Sequence, residues 1–410
     1  MAPRDGTLPF HKVRLLFNLC EILSTTSLHS PFCLFWAFFP PAVGRVIWIL
    51  TAGYGDGHNT AARSVAEALT RLCPGEVIEM TDLLDEAMPR TAAVTKALYQ
   101  QAITHFPAAW RVTYELMGKR SVTGPDSVWQ AGLLNHLKKR LNEKQPRLIV
   151  STYPLYSVLL ESLARKQAVP PLCTVITDSI SVNRIWVMSG SDLFCVADDE
   201  TRKVVVDFGV PESKIRVTGF PVSLAFTEPL PEQPPQKAAR ILYLPSTTGR
   251  HVRATLEALK PQLLVGTKLT LPVGKHASRL HHILRRFTDS LPPEAVEIIG
   301  WTKRIPEFLR THDVVICKAG GAILHEVLAA KIPAVIDYVV PGQEEGNAEL
   351  LTKIDGGVVT RTPQETAAAV ESILINNATV GRRMRASMAK LSVPDAALRT
   401  ARAALAVAKS

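Results

Sequence analysis

From Arg45 onward, short apolar runs alternate with segments of helical periodicity. Apolar runs without polar alternation are typical of strands that are covered on both faces, as in parallel sheets flanked by helices. The runs predicted to form strands are Val46–Leu50, Leu148–Ser151, Leu172–Thr177, Leu193–Ala197, Ile215–Thr218, Ile241–Leu244, Leu269–Val273, Val296–Ile299, Val314–Cys317, Ala334–Tyr338 and Val358–Thr360. The pattern therefore predicts an α/β protein.

A proline-rich segment at 227–238 divides this pattern into two halves of similar size. It carries four prolines and no apolar period, which is typical of a linker. We expect two doubly wound domains, at 44–226 and 239–375, followed by helices at 376–410. Two such domains facing across a cleft would place a ligand between the carboxyl ends of both sheets.

Residues 1–43 fit this scheme poorly. The apolar run Phe32–Val43 is about a dozen residues long and contains Pro40 and Pro41, whereas a spanning helix needs about 20 apolar residues. Two interpretations stay open: an extension that touches a membrane, or a stretch outside the folded protein, which would then begin near Val43. A transmembrane anchor is a third alternative.

Composition and charge narrow the partners. The 410 residues carry a net charge of +10, which favours phosphates, nucleic acid or an anionic membrane. Nucleic acid is disfavoured because only 6% of residues are aromatic and none interleave with the basic runs. The six cysteines form no C-x-x-C pair, so we expect reduced thiols, a cytoplasmic location and no metal cluster.

The second half carries a strand, a tight glycine turn and a helix around Gly320 and Gly321. The free N–H groups and positive dipole end of a helix that begins near Ala322 would bind a diphosphate. Glu326 lies about one turn further along and is placed to accept hydrogen bonds from ribose hydroxyls. The loop 341–347 follows the next strand, and its Gln, Glu and Asn side chains suit sugar hydroxyls.

The first half carries a glycine-rich turn at 53–59 that ends in His58, at the start of a helix. Its G-x-G-x-G order differs from the dinucleotide fingerprint, and no acidic residue is evident at the end of a second strand, so we expect no dinucleotide site. A histidine with a pKa near neutrality suits removal of a proton from an attacking hydroxyl. Asp56 and Asp178 are the candidate carboxylates to orient it.

The segment 318–351 resembles the donor-binding half of glycosyltransferases that make lipid-linked sugars. These are the monogalactosyldiacylglycerol synthases of plants, the processive diacylglycerol glucosyltransferases of bacteria and, more distantly, the peptidoglycan lipid intermediate GlcNAc transferase. The turn GYGDGH at 53–58 is similar to the first loop of the bacterial enzymes. The resemblance implies a GT-B fold, built from two Rossmann-like domains that face each other across a cleft.

Residue chemistry and this resemblance together predict the site. The catalytic candidates are His58, Asp56 and Asp178, and the acceptor-binding candidates are Gly55, Gly57 and Trp186. The donor-binding candidates are Gly300, Trp301, Lys318, Gly320, Gly321, Ala322, Glu326, Gln343, Glu344, Asn347, Ser246, Thr247 and Arg250. The segment 299–302 is similar to the loop that reads uracil through backbone bonds. No metal and no cofactor beside the UDP-sugar are expected, since D-x-D is absent at a matching position.

Two positions depart from the family pattern. Asn183 stands where relatives carry a histidine, and Pro245–Gly249 carries hydroxyl side chains where relatives carry glycines. Such hydroxyls can still hydrogen-bond a phosphate.

The expected activity is inverting transfer of a hexose from a UDP-sugar to a lipid acceptor similar to diacylglycerol, in glycolipid biosynthesis. The alternatives are a UDP-sugar epimerase of the GT-B fold and a non-catalytic nucleotide-sugar binder. Basic clusters at 138–140, 275–286 and 382–390 favour contact with an anionic membrane surface. We therefore expect a peripheral protein on the inner face of the cytoplasmic membrane.

Overall fold

A computed structural model of the chain describes residues 46–105, 112, 128–179, 182–230, 238–245, 248–274, 277–340 and 344–408. The expectations for residues 1–43, for most of the proposed linker and for Ser246, Thr247 and Gln343 lie outside the described residues.

Two six-stranded sheets organise these residues, and every strand pairing is parallel. The first sheet has the order β2-β1-β3-β4-β5-β6, and the second has the order β12-β11-β10-β7-β8-β9. The strands of the first sheet are β1 Val46–Thr51, β2 Val77–Asp82, β3 Leu148–Ser151, β4 Leu172–Val175, β5 Leu193–Val196 and β6 Ile215–Val217. Those of the second are β7 Arg240–Tyr243, β8 Lys268–Pro272, β9 Val296–Ile299, β10 Val314–Lys318, β11 Ala334–Tyr338 and β12 Gly357–Val359.

Helices connect the strands in both halves. Among residues 46–230 they are α1 Asp56–Leu72, α2 Leu83–Ala87, α3 Pro89–His105, α4 Val128–Lys144, α5 Pro154–Ala164 and α6 Asp199–Asp207. Beyond residue 238 they are α7 Gly249–Leu264, α8 Ala277–Thr288, α9 Ile305–Thr311, α10 Gly321–Ala330, α11 Glu345–Lys353, α12 Pro363–Met388 and α13 Ala396–Val407. None of the helices within the described ranges has the length and apolar content needed to cross a membrane.

The pattern of apolar runs did not predict one strand, β2. It lies at the edge of the first sheet and leaves Val77 and Met80 nearly half exposed, at 47% and 45%. An edge strand with polar and apolar residues intermixed lacks the continuous apolar run that marks a central parallel strand. Because β2 ends in Asp82, the interpretation that no acidic residue closes a second strand was wrong.

The last helix returns to the first sheet. Ala397, Ala401 and Ala404 on α13 are fully buried in the core that contains β1, β3, β4 and β5. The small side chains allow close approach of the helix, and the Thr400 hydroxyl donates a 2.9 Å hydrogen bond to Thr218 Oγ1. The end of the chain therefore ties the second half to the first.

The two halves also meet at α1 and α10, which contact each other. Each of these helices follows the carboxyl end of a central strand, β1 and β10 respectively. Ala61 on α1 is fully buried and belongs to the hydrophobic core of the second half. This contact brings the two predicted strand-turn-helix sites to the same region of the molecule.

Candidate functional site

His58 lies in the first turn of α1, in an aromatic setting. Its Nδ1 lies 2.8 Å from Thr177 Oγ1, and the ring also bonds the backbone of Thr152. The ring meets Tyr153 edge-on at a centroid distance of 5.1 Å and lies 5.9 Å from the Trp186 ring. These contacts from three separate chain segments hold the imidazole in one orientation.

The electrostatics of His58 favour the neutral imidazole. Burial lowers the pKa of His58 below its ordinary value of 6.5. The negative charge of Asp178 and the bond to the Thr152 backbone act in the opposite direction but do not cancel the effect. At neutral pH the ring therefore has a lone pair that can accept a proton.

The two candidate carboxylates have different settings. Asp178 accepts a 2.7 Å hydrogen bond from Trp186 Nε1, and its charge acts on His58. Asp56 is exposed at the first position of α1, and the imidazole Nδ1 bonds Thr177 instead. The structure thus brings Asp178 and Trp186 together with His58, whereas Asp56 stays a prediction.

The glycine-rich turn is supported by residues that sequence reasoning missed. Gly55, a predicted acceptor-binding residue, has a φ of 86°, which favours glycine. The Gly53 amide donates a 2.9 Å hydrogen bond to Asp82 Oδ2, at the end of β2. The same carboxylate pairs with Lys96 Nζ at 2.7 Å, so Asp82 braces the turn. Gly57 lies between Gly55 and His58, in open space.

In the second half, the predicted donor turn lies between β10 and α10. Gly320 precedes the helix, and Gly321 and Ala322 begin it, so their N–H groups have no acceptor within the helix. Asn347 Nδ2 donates a 3.1 Å hydrogen bond to the Ala319 carbonyl and thereby braces the turn. The N-terminus of α10 therefore provides the environment of an anion site.

Lys318 and Glu344 form an ion pair beside this turn. Lys318 Nζ lies 2.6 Å from Glu344 Oε1, and the other carboxylate oxygen accepts a 3.0 Å hydrogen bond from the Val340 amide. Glu344 is 7% exposed. Its carboxylate therefore fixes the ammonium group at the end of β10, a pairing that sequence reasoning did not predict.

Glu326 lies on α10 and faces the first half. Burial raises the pKa of Glu326 to about 7, and the opposing charge comes from Arg63 on α1. Sequence reasoning missed Arg63, because its proximity to Glu326 depends on the docking of α1 against α10.

Other predicted donor residues lie further along the second sheet. Gly300 and Trp301 follow β9, an edge strand, and Trp301 is 67% exposed. Arg250 is exposed near the start of α7. Its neighbour His251 was not predicted, and its Nε2 lies 3.0 Å from a carboxylate oxygen of Asp337, a buried residue of β11.

The decisive juxtaposition is between His58 and the donor turn. Thr177, which bonds His58 through its hydroxyl, directs its carbonyl oxygen toward Gly321, where an added Cβ would lie 3.6 Å from that oxygen. Thr177 thus contacts both the neutral imidazole of His58 and the N-terminus of α10. The arrangement can remove a proton from a hydroxyl on one side and stabilise an anion on the other.

Solved glycosyltransferase structures share this fold. MurG of Acinetobacter baumannii superimposes with a TM-score of 0.55 at 15% sequence identity, covering 89% of this chain and 100% of MurG. The calicheamicin glycosyltransferase CalG4 gives a TM-score of 0.56 at 16% identity, with 88% and 98% covered. The expected GT-B fold is therefore confirmed.

Sequence comparison identifies the relatives within this fold. Residues 58–222 match the family described as monogalactosyldiacylglycerol (MGDG) synthase. The processive diacylglycerol beta-glucosyltransferase of Bacillus subtilis (strain 168) is 27% identical over 354 residues, which are 82% of this chain and 88% of the relative. The chain is thus similar to the MGDG synthase family over residues 58–222 and to diacylglycerol glucosyltransferases over most of its length. A second relative of the same name, from Bacillus cereus (strain AH187), is 28% identical over 342 residues, with 80% and 85% covered.

The match to the family model covers the residues around His58. The matched range begins at His58 and includes Asp178 and Trp186. These are the residues that the structure brings together around the His58 ring.

Proposed function

We propose that this glycosyltransferase moves a hexose from a UDP-sugar to the hydroxyl of a lipid acceptor similar to diacylglycerol, with inversion at the sugar carbon. The observation that carries the proposal is the contact from His58 through Thr177 to Gly321. The names of the relatives supply the substrate class, since they are diacylglycerol glucosyltransferases.

In the proposed reaction, His58 takes the proton of the acceptor hydroxyl as its oxygen attacks the sugar carbon. The bond between that carbon and the UDP oxygen breaks, and the departing diphosphate gains negative charge. The N-terminus of α10 and the ammonium of Lys318 offset that charge. A single displacement of this kind inverts the configuration of the carbon. The proposal includes no metal and no cofactor beside the co-substrate.

The donor side of the proposal assigns Glu326 to the ribose hydroxyls, Gln343 to the sugar and the backbone around Gly300 to uracil. Glu344 and Asn347 act partly through support of the turn, since both already bond chain atoms beside it. The acceptor side consists of the turn with Gly55 and Gly57, together with Trp186. The proposed acceptor domain is 44–226 and the proposed donor domain is 239–375.

The same proposal places the protein at the inner face of the cytoplasmic membrane. In the basic cluster at 138–140, Arg140 pairs with Glu86 and Glu143, and in the cluster at 382–390 Arg383 pairs with Asp355. Such ion pairs reduce the net positive charge of these two clusters. The exposed Arg285 and Arg286 at the end of α8 are therefore the favoured contact with an anionic lipid surface.

The test uses the full chain with UDP-glucose, UDP-galactose and UDP-N-acetylglucosamine, each with and without diacylglycerol vesicles. We expect UDP release and a glycolipid product only with vesicles. His58→Ala should lower kcat by roughly 10²- to 10⁴-fold, the usual contribution of a general base, and leave UDP binding intact. Gln364→Ala, which changes an exposed residue on α12 outside the basic clusters, is the control.

Three outcomes would contradict the proposal. Interconversion of the UDP-sugars without an acceptor would indicate an epimerase. UDP-sugar binding without turnover under every condition would indicate a binding protein. Transfer by His58→Ala at a rate near that of the wild type would show that another group removes the proton.

A further inference from the structure

Residues 177–179 form a bridge between the two halves of the molecule. On one side, Thr177 Oγ1 lies 2.8 Å from His58 Nδ1. On the other side, the Thr177 carbonyl faces Gly321 and Ser179 Oγ lies 2.8 Å from His325 Nε2. Both Gly321 and His325 belong to α10, so this bridge touches the proposed base and the proposed donor helix at once.

His325 is held firmly in this contact. Its ring stacks on Phe220 with a centroid distance of 4.7 Å and an interplanar angle of 4°. Phe220 is 3% exposed and Ser179 is 4% exposed, so water has little access to compete for the hydrogen bond. The stacked ring has little rotational freedom, and the direction of its Nε2 is therefore set by packing.

The bond between His325 and Ser179 is one between neutral groups at physiological pH. Burial lowers the pKa of His325 to about 4, and the charge of Asp198 only partly opposes this effect. The contribution of His325 is consequently geometric. It does not add a positive charge to the cleft.

The sequence position of His325 ties it to the donor turn. It lies four residues after Gly321 and directly before Glu326, and residues four apart lie on the same face of a helix. A shift of α10 would therefore move His325, Ser179 and Thr177 together. Because a misplacement of about 1 Å can slow a reaction by about 10²-fold, a disturbed bridge should lower the rate of glycosyl transfer.

We propose that His325 is a positioning residue for glycosyl transfer, which holds Ser179 so that Thr177 places the His58 imidazole correctly against the donor turn. The inference rests on the proposed function, since it takes His58 as the group that accepts the proton. It differs from a purely structural role of His325 in what it predicts. A structural contact would affect the melting temperature, whereas a positioning contact affects kcat at temperatures where the protein is folded.

The test compares Ser179→Ala, His325→Ala and His325→Gln with the wild type in the diacylglycerol vesicle assay. Ser179→Ala removes the hydrogen bond and keeps the stacked ring, so it guards against a loss of folding in His325→Ala. We expect both alanine variants to lose at least about tenfold in kcat, with the Kd for UDP and the KM for the UDP-sugar within about twofold. His325→Gln retains a side-chain amide for Ser179 and should recover most of the lost kcat.

The same measurements on Gln364→Ala, which changes an exposed residue of α12 outside the basic clusters, give the control for a surface substitution. Melting temperatures show that each assay is run on folded protein. Full kcat in folded Ser179→Ala would overturn the inference. So would a loss in His325→Ala that appears equally in UDP affinity, because it would mean a damaged donor site. If the wild type itself transfers no sugar, the proposed function fails, and that result is separate from any difference among the variants.

Discussion

His312 gives a quantitative prediction about the stability of the second half. It is 1% exposed, its Nδ1 donates to the Phe308 carbonyl at 2.8 Å, and its Nε2 accepts from the Thr270 hydroxyl at 2.8 Å. Burial lowers the pKa of His312 to about 4, and the charge of Arg240 adds to that effect. The Phe308 bond and Glu307 oppose it. A buried neutral histidine of this kind makes a fold sensitive to acid.

The sign follows from which state binds more protons. Above pH 6.5 the imidazole is neutral in both the folded and the unfolded chain, so its contribution is fully present. Between pH 6.5 and about 4 the unfolded chain takes up a proton that the folded chain does not, and the free energy of unfolding falls. A pKa difference of about 2.5 units corresponds to about 3 kcal/mol, of which about 2 kcal/mol is lost by pH 5.

The assay compares wild type with His312→Asn by hydrogen exchange of the amides in β8 and β10, which reports opening of the second half alone. Asparagine keeps a donor for Phe308 and cannot be protonated. The variant should be less stable at pH 7.5, and its deficit should shrink by about 2 kcal/mol at pH 5. Other buried histidines cancel in this comparison, and exposed His281→Asn is the control. A deficit that stays constant from pH 7.5 to 5 would refute the reasoning.

Two further predictions concern the site. Asp178→Asn removes a negative charge that raises the pKa of His58, so the acidic limb of the kcat/KM profile should move to lower pH. The profile is measured from pH 5 to 8, and a limb at the same pH as in the wild type would show that Asp178 does not act on His58. In Lys318→Met, UDP should bind about 10- to 150-fold more weakly, because a charge-assisted bond is worth about 1.5–3 kcal/mol. Glu344 then loses its cation, so the melting temperature should also fall. The double variant Lys318→Met/Glu344→Gln should regain part of the stability but not the affinity for UDP, measured by calorimetry. An affinity for UDP equal to that of the wild type in Lys318→Met would exclude Lys318 from the site.

The sequence alone was sufficient to predict those features of the fold that depend on a local pattern of residues. Central strands such as β1 and β10 are continuous apolar runs because both of their faces are covered. Glycine turns before α1 and α10 are local too, since backbone angles and free N–H groups at a helix start depend on a few neighbouring residues. The two strand-turn-helix sites and the candidacy of His58 could therefore be predicted.

Only the tertiary structure decided which groups meet. His58 and Thr177 are 119 positions apart, and Ser179 and His325 are 146 apart. No pattern within a window of the sequence specifies such a pair. The first forms because β1 and β4 lie in one sheet, and the second forms because the two halves pack together. The edge strand β2 and the return of α13 to the first sheet have the same cause. Local periodicity determines which face of an element is apolar, whereas the partner of that face depends on the packing of the whole chain.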